Sequence, residues 1–289
     1  MNTLNGRELS TKIIKNLTIQ ISSFKEEYGR RPTLAVVLVG SDAPSQTYVQ
    51  MKAKACKEAG IHSIVYEMSD DVNENILLKK IDNMNQDDTI DGILVQLPLP
   101  KHLDEEKVIE RIATHKDVDG FTTHNAGSLW SNVNQKTRLL PATPLGVIRL
   151  LKEYKIDMLG KEVVIIGTSN IVGKPLAGLL LEQGATVTMC NINTKDISVH
   201  TKRADILCVA VGKPKFIKAD ILKEGCVVVD IGITKVDGKL YGDVDFEQVS
   251  QKASYITPVP GGVGPMTIST LLENTLKASI NNQEALINS

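Results

Sequence analysis

The run Val163-Val164-Ile165-Ile166-Gly167-Thr168-Ser169-Asn170-Ile171-Val172-Gly173-Lys174-Pro175 is apolar and mostly β-branched as far as Gly167. A buried strand that turns on a glycine into a helix presents free backbone N–H groups and the positive helix end, which suit a pyrophosphate. The spacing is Gly-x5-Gly, and Ser169 stands where the usual dinucleotide motif has its middle glycine. A tight strand-to-helix turn that binds nothing has the same local pattern. Context favours a ligand: further strand ends follow at Cys190, at Val211-Gly212 and at Asp230-Ile231-Gly232. At such ends an open α/β sheet presents its binding loops.

A second group of candidates lies nearer the N-terminus. Tyr48 and Lys52, four residues apart in a helical stretch, share one face. A packing tyrosine beside a surface lysine accounts for that spacing equally well. Gln96 ends an apolar run and precedes Leu97-Pro98-Leu99-Pro100, which puts a polar side chain at the mouth of a buried strand. A loop-capping glutamine fits there too. Asp119 sits in the turn-rich Lys116-Asp117-Val118-Asp119-Gly120-Phe121, where a solvated aspartate is the plain alternative. The segment 257–267, Thr-Pro-Val-Pro-Gly-Gly-Val-Gly-Pro-Met-Thr, is too rigid and apolar for a linker, and its glycines allow close backbone approach to a flat ligand.

Elements must hold these groups, and short apolar runs alternate with helical stretches, the pattern of parallel α/β architecture. Strands are expected at 34–39, 92–96, 162–166, 185–189, 206–210 and 226–230. Their continuous apolar character suits strands covered on both faces. Helices are expected over 44–59 closed by Gly60, over 73–84, after Asp104 as cap, from Thr143 as N-cap with Pro144 first to Tyr154, and over 172–183 closed by Gly184. At 289 residues two domains are the default. The expected fold class is α/β, with a catalytic domain at 1–142, a Rossmann-type dinucleotide-binding domain at 143–266 and a cleft between them. The tail 267–289, helical from Thr267 to about Ser279, is expected to pack back on the first block.

Composition narrows the partners. The 33 basic and 34 acidic residues nearly cancel, which argues against nucleic acid or a membrane surface. The N-terminus lacks the apolar core of a signal peptide, and no apolar run is long enough to span a bilayer. Cys56, Cys190, Cys208 and Cys226 lie far apart, mostly in apolar runs, and read as buried thiols in a reducing compartment. No metal is expected, because His62, His102, His115, His124 and His200 form no ligand spacing. A soluble cytoplasmic protein follows from these features.

In their order along the chain, five segments resemble the bifunctional methylenetetrahydrofolate dehydrogenase/cyclohydrolase family. They are Val39-Gly40-Ser41-Asp42-Ala43-Pro44-Ser45 with Tyr48-Val49-Gln50-Met51-Lys52, then Gln96-Leu97-Pro98-Leu99-Pro100 and Lys116-Asp117-Val118-Asp119-Gly120-Phe121. Gly167-Thr168-Ser169 with Val172-Gly173-Lys174-Pro175, and Pro258-Val259-Pro260-Gly261-Gly262-Val263-Gly264-Pro265-Met266-Thr267, complete the set. The resemblance implies oxidation of 5,10-methylenetetrahydrofolate by NADP or NAD, then hydrolysis of the methenyl product to 10-formyltetrahydrofolate, by a homodimer. It implies that Lys52 is the main catalytic residue, that Gln96 supports it by hydrogen bonding, and that Tyr48 stacks on the folate. It also implies that Asp119 holds the pterin nitrogens, and that Leu97, Pro260, Gly261 and Gly262 line the folate pocket. The dinucleotide site would comprise Gly167, Thr168, Ser169, Val172, Gly173, Pro175, Asn191, Thr194, Val211, Gly212 and Ile233. Hydride loss leaves a cation stabilised by two flanking nitrogens, so that step needs positioning more than a base. Hydrolysis needs proton traffic, which a partly deprotonated lysine can supply.

Some positions depart from the family pattern. Thr168 stands where arginine is common, and Asn191-Ile192 where His-Ser is common, at the site of the adenosine 2'-phosphate. Losing a guanidinium and a hydroxyl weakens discrimination for that phosphate, so reduced NADP preference is expected, with Lys195 or Lys202 as substitute charges. Ala142 for cysteine, Thr122-Thr123 for His-Pro and Thr114 for proline read as changes in packing and loops. Two other readings are a cyclohydrolase with impaired dehydrogenase activity and a non-catalytic folate- or nucleotide-binding regulator. Intact Tyr48, Lys52, Gln96 and Asp119 weigh against the regulator.

Overall fold

The computed structural model describes residues 2–287. Its first elements are β1 (Asn2–Thr3), α1 (Gly6–Tyr28), β2 (Thr33–Val39), α2 (Ala43–Ala59), β3 (His62–Met68), α3 (Glu74–Gln86) and β4 (Gly92–Val95). There follow α4 (Glu105–Glu110), α5 (Thr123–Trp130), α6 (Ala142–Glu153), β5 (Glu162–Ile166), α7 (Gly173–Glu182), β6 (Thr186–Cys190) and α8 (Ser198–Thr201). The chain continues through β7 (Ile206–Val209), β8 (Val227–Asp230), β9 (Thr234–Val236), β10 (Lys239–Tyr241), α9 (Phe246–Val249), β11 (Tyr255–Ile256) and α10 (Val263–Ile287). It divides into two units, Lys12–Ala142 with Ile268–Ser289, and Met1–Thr11 with Thr143–Thr267.

In the unit of Lys12–Ala142, β3, β2 and β4 form a parallel sheet in that order. Every residue of β2 is buried, and period-2 geometry explains why its apolar run is unbroken. Leu34, Val36 and Leu38 pack with Leu17 and Ile21 of α1 and with Leu272 and Leu276 of α10. Ala35, Val37 and Val39 pack on the other face with Leu77 and Ile81 of α3 and Val108 of α4. The edge strand β3 is half-exposed and carries polar residues, so it lacks the apolar-run signal that marks β2 and β4. The chain leaves the central β2 to one side and returns to pair β4 on the other. The carboxyl ends of β2 and β4 therefore flank the point where strand order reverses, where such sheets bind ligands.

Local chemistry sets the edges of the elements there. The Asp42 carboxylate accepts the Ser45 N–H at 2.9 Å, which caps α2, and Gly60 at φ 93° ends it in the left-handed conformation. Asp104 caps α4 by accepting the Lys107 N–H. From α10, the buried Asn274 donates through Nδ2 to the carbonyls of Val118 and Leu140, both at 2.8 Å. One amide thus ties the backbone just before Asp119 to the Leu139–Leu140 segment that Gly120 packs against.

In the other unit, six parallel strands run in the order β1-β11-β8-β7-β5-β6, and β9 and β10 form an antiparallel hairpin. Residues 1–11, expected with the first block, belong here because Asn2 and Thr3 pair with Tyr255 and Ile256. Two exposed polar residues carry no strand signal, so only the pairing reveals β1. Val164, Ile166, Leu207, Val209 and Val228 share one core. From β5 the chain moves to β6 and then crosses to β7 on the opposite side, so strand order reverses between β5 and β7. Helix α6 begins at Ala142, which places Thr143 inside the first turn rather than at the cap, with its Oγ1 2.8 Å from Thr267 Oγ1. Helix α10 begins at Val263, earlier than expected, and Pro265 falls in its first turn, where proline removes no helical hydrogen bond.

Asn274→Leu removes both donors while preserving bulk, leaving two carbonyls without their partner. Urea unfolding should show a loss of about 2–3 kcal/mol; a change below about 0.5 kcal/mol would show that these bonds do not hold the Val118–Gly120 backbone.

Candidate functional site

Helix α2 carries Tyr48, Lys52 and Cys56 at successive fourth positions. From this face Lys52 Nζ donates to Gln96 Oε1 at 3.0 Å. Gln96 follows β4, and its backbone N–H donates to the Val37 carbonyl, which seats it beside β2 at the strand-order reversal. Its side-chain Nε2 donates to the Leu97 carbonyl at 2.7 Å, so the amide oxygen is the end that faces the lysine. An ammonium or amine can only donate to that oxygen. Burial holds the Lys52 pKa below the ordinary lysine value, opposed by the negative charge of Asp119. Tyr48 remains partly exposed, and Cys56 below Lys52 is buried with its thiol pushed up to about 12.

The segment Lys116–Phe121 divides its work residue by residue. Lys116 is buried and donates to the carbonyls of Met84 and Asp87 at 3.1 and 2.8 Å. Asp117 accepts from the Thr122 N–H at 2.8 Å and from Asn125 Nδ2 at 2.9 Å, so it is structural. Val118 belongs to the core. Gly120 has φ 68°, and a Cβ there would lie 2.8 Å from the Leu139 carbonyl oxygen. Asp119 is left: half-buried, close enough to Lys52 for their charges to interact, and making no hydrogen bond among the described residues. Burial pushes its carboxyl up to about 6, with Lys52 opposing and Asp117 adding.

In the other unit, the expected phosphate turn follows β5. A Cβ on Gly167, which has φ 116°, would lie 2.2 Å from the Ala210 carbonyl oxygen, and one on Gly173 would lie 2.1 Å from the Gly167 oxygen. Only glycine permits these approaches. The turn therefore lies against the loop after β7, at the strand-order reversal, which fits a dinucleotide pyrophosphate. Ser169 Oγ accepts from the N–H groups of Val172 and Gly173 at 3.2 and 3.4 Å, so it caps α7. Thr168 is half-buried, and Pro175 is buried within the first turn of α7. After β6, Asn191 N–H donates to Thr194 Oγ1 at 3.0 Å and Asn193 N–H to Asn191 Oδ1 at 2.9 Å, while Ile192 is 87% exposed. Both polar side chains are thus engaged within their own turn.

Ile233 lines a small cavity with Pro260, Gly261 and Gly262 in this same unit. Gly261 has φ 110° and accepts the Arg7 N–H through its carbonyl at 3.0 Å. Sequence reasoning missed Asp243, which binds the Val211–Lys213 backbone, and the buried Asp230 beside it. No local sequence signal marks the pair, because the Gly232–Asp243 and Gly242–Asp230 contacts exist only between folded loops. All four cysteines are free and buried. Among the described residues no cluster of His, Cys, Asp and Glu could hold a metal ion, and no helix is long and apolar enough to cross a membrane.

Gly173→Ala must separate two backbone segments, so NADH or NADPH fluorescence titration should show binding weakened about tenfold or more; parent-like affinity would remove the turn from the site. Asp119 supplies a pH test. Its folded value of about 6 exceeds the ordinary 3.8, so the native state binds a proton that the unfolded chain has released. Stability from this group is greatest below the lower value and falls as pH rises through the higher one. Asp119→Asn should flatten that decline and exceed the parent in unfolding free energy at pH 7; an unchanged slope would contradict a buried, unbonded carboxyl.

Known proteins match this architecture. A sequence model of the tetrahydrofolate dehydrogenase/cyclohydrolase catalytic domain matches residues 4–119, and one of the same family's NAD(P)-binding domain matches residues 141–283. A bifunctional protein FolD of Wolinella succinogenes is 57% identical over 285 residues, 98% of this chain and 99% of that protein. The crystal structure of bifunctional FolD, a methylenetetrahydrofolate dehydrogenase/cyclohydrolase of Campylobacter jejuni, superposes with a TM-score of 0.94 at 52% identity, covering 97% of this chain and 99% of that one. The Trypanosoma brucei enzyme, solved with NADP and an inhibitor, gives a TM-score of 0.91 at 36% identity, with 96% of each chain covered. The chain belongs to the tetrahydrofolate dehydrogenase/cyclohydrolase family.

Proposed function

We infer that Lys52, Gln96 and Asp119 form the folate site at which this bifunctional enzyme oxidises 5,10-methylenetetrahydrofolate and hydrolyses the methenyl product to 10-formyltetrahydrofolate. The observation that carries the assignment is the 3.0 Å bond from Lys52 Nζ to Gln96 Oε1, beside a carboxyl that no donor among the described residues occupies. The dinucleotide takes up the hydride from the methylene carbon. The chain's share of that step is alignment: Asp119 accepts N–H donors of the pterin, and Tyr48 stacks on the ring. In hydrolysis, Lys52 as a free amine accepts a proton from the water whose oxygen bonds to the methenyl carbon. It then gives that proton to the ring nitrogen as the nitrogen–carbon bond breaks. The remaining hydroxyl proton leaves to solvent as the carbon–oxygen bond becomes the formyl carbonyl, so one proton is released overall. Burial lowers the pKa of Lys52, which raises the fraction of free amine at neutral pH. A neutral partner in Gln96 orients the amine without adding a negative charge that would hold its proton.

Leu97 borders this site, and Pro260, Gly261 and Gly262 are folate-binding residues of the other unit. Gly167, Ser169, Val172, Gly173, Val211, Gly212 and Ile233 take the dinucleotide. At its adenosine end, Thr168 brings no charge, and Asn191 and Thr194 are engaged within their own turn, so NADP preference is reduced and NAD is used. The working form is a cytoplasmic homodimer, and sedimentation in solution reports its size.

Lys52→Met should abolish cyclohydrolase activity and leave a measurable part of the dehydrogenase activity, followed by methenyl absorbance and dinucleotide reduction. Survival of both activities would remove Lys52 from the catalytic role. For the cofactor, kcat/KM with NAD is expected to lie within about tenfold of that with NADP; a much stronger NADP preference would refute the reading of Thr168 and Asn191.

A further inference from the structure

The loop after β7 turns three successive backbone N–H groups onto one side chain. Val211, Gly212 and Lys213 donate to the Asp243 carboxylate at 2.6, 3.0 and 2.8 Å. Asp243 is fully buried. Its own backbone is fixed by a second carboxylate: Asp230, at the end of β8, accepts the N–H groups of Asp243 and Val244 at 2.9 and 3.0 Å. Two glycines make room for this pair. A Cβ on Gly232 would lie 2.0 Å from Asp243 Oδ2, and one on Gly242 would lie 1.9 Å from Asp230 Oδ2.

A concave run of backbone N–H groups is an anion-binding nest, and here a side chain of the protein fills it. Burying a carboxylate is costly unless its oxygens are bonded, which these donors achieve. The peptide bonds of this loop are trans, so each carbonyl points away from the N–H of its own peptide unit. With three N–H groups turned inward, the carbonyls of Ala210, Val211 and Gly212 face the other way. The Ala210 oxygen lies against Gly167 of the phosphate turn. No hydrogen bond among the described residues reaches the carbonyls of Val211 or Gly212. They are acceptors beside the place for a pyrophosphate, in a loop with no helix or strand of its own to shape it.

We propose that Asp243 is a positioning residue of the dinucleotide site: it holds the Val211–Lys213 amides so that the Val211 and Gly212 carbonyls accept hydroxyl or carboxamide donors of the nicotinamide nucleoside half. This rests on the reading of Val211 and Gly212 as cofactor residues. Asp243 touches no ligand; it acts through the loop.

Two variants and one measurement on the parent test it. Asp243→Asn keeps the side-chain size but leaves one acceptor oxygen for three donors. Its KM for the dinucleotide should rise about tenfold or more, while KM for methylenetetrahydrofolate and hydrolysis of preformed methenyltetrahydrofolate stay within about twofold. Gly212→Asp places a carboxylate in open space at φ 67°, a conformation aspartate tolerates, and should also raise the dinucleotide KM by repelling the pyrophosphate. If Gly212→Asp raises KM and Asp243→Asn does not, the role of Asp243 is wrong and the cofactor loop stands. If neither changes KM, the cofactor reading of the loop fails and the proposal with it. Equal loss of both activities in Asp243→Asn would mark a general structural defect and overturn the positioning role. In the cofactor-free parent, the amides of Val211, Gly212 and Lys213 should exchange with solvent as slowly as those of β7; exchange at open-loop rates would overturn the proposal even if the variants do not fold.

Discussion

A bond of 3.0 Å between Lys52 Nζ and Gln96 Oε1 joins the helix after β2 to the residue after β4, and the candidate site of that unit is built around it. A lysine amine useful in proton transfer must be held in one place and must lose its proton readily, and these demands conflict when the holding group is an anion. Glutamine resolves the conflict by offering a fixed dipole without a full charge. Its other end is tied to the Leu97 carbonyl, so it cannot rotate to present N–H groups to the lysine. The nearby Asp119 acts in the opposite direction, favouring the charged amine, while burial raises its own pKa. Substrate donors at Asp119 would stabilise its charged form and so act back on Lys52.

Reversal of strand order explains why these groups meet. In the sheet β3-β2-β4 the chain leaves the centre in both directions, which opens space at the carboxyl ends of β2 and β4. Lys52 and Gln96 come from the segments that leave those two ends. The nucleotide unit repeats the device between β5 and β7, where the Gly167 turn lies against Ala210. In the first unit long side chains reach into the opening; in the second, backbone atoms come so close that side chains are excluded. That difference suits the proposed ligands, since proton transfer needs side-chain functional groups and a pyrophosphate is met by backbone N–H groups and a helix end.

Much of the fold is legible in the chain. Continuous apolar runs mark β2, β4, β5, β7 and β8, because both faces of each are covered. Caps and closing glycines mark α2 within a residue. Strand β3 escapes because an edge strand exposed on one side need not be apolar throughout, and β1 because two polar residues pair through backbone alone. Helix α1 is bounded by Gly6 and by Gly29 at φ 69°, but its mixed surface gives no clear apolar period to read between them. The Asp230–Asp243 pair is unreadable for a different reason. Each aspartate alone looks like an ordinary loop residue, and only the crossing of two loops removes both from water.

By itself the sequence determined the residue types, the strand-turn-helix order around Gly167, the α/β class and, through its motifs, the family. Tertiary structure alone decided which of Lys116, Asp117 and Asp119 remains free for a ligand, because that depends on carbonyls of Met84 and Asp87 and on the Thr122–Asn125 turn. It also decided that residues 1–11 join the nucleotide unit and that Asp243 binds the loop after β7. The physical reason is common to these cases. Periodicity and local caps act between residues a few positions apart, whereas burial and hydrogen-bond satisfaction are settled between segments that only the folded chain brings together.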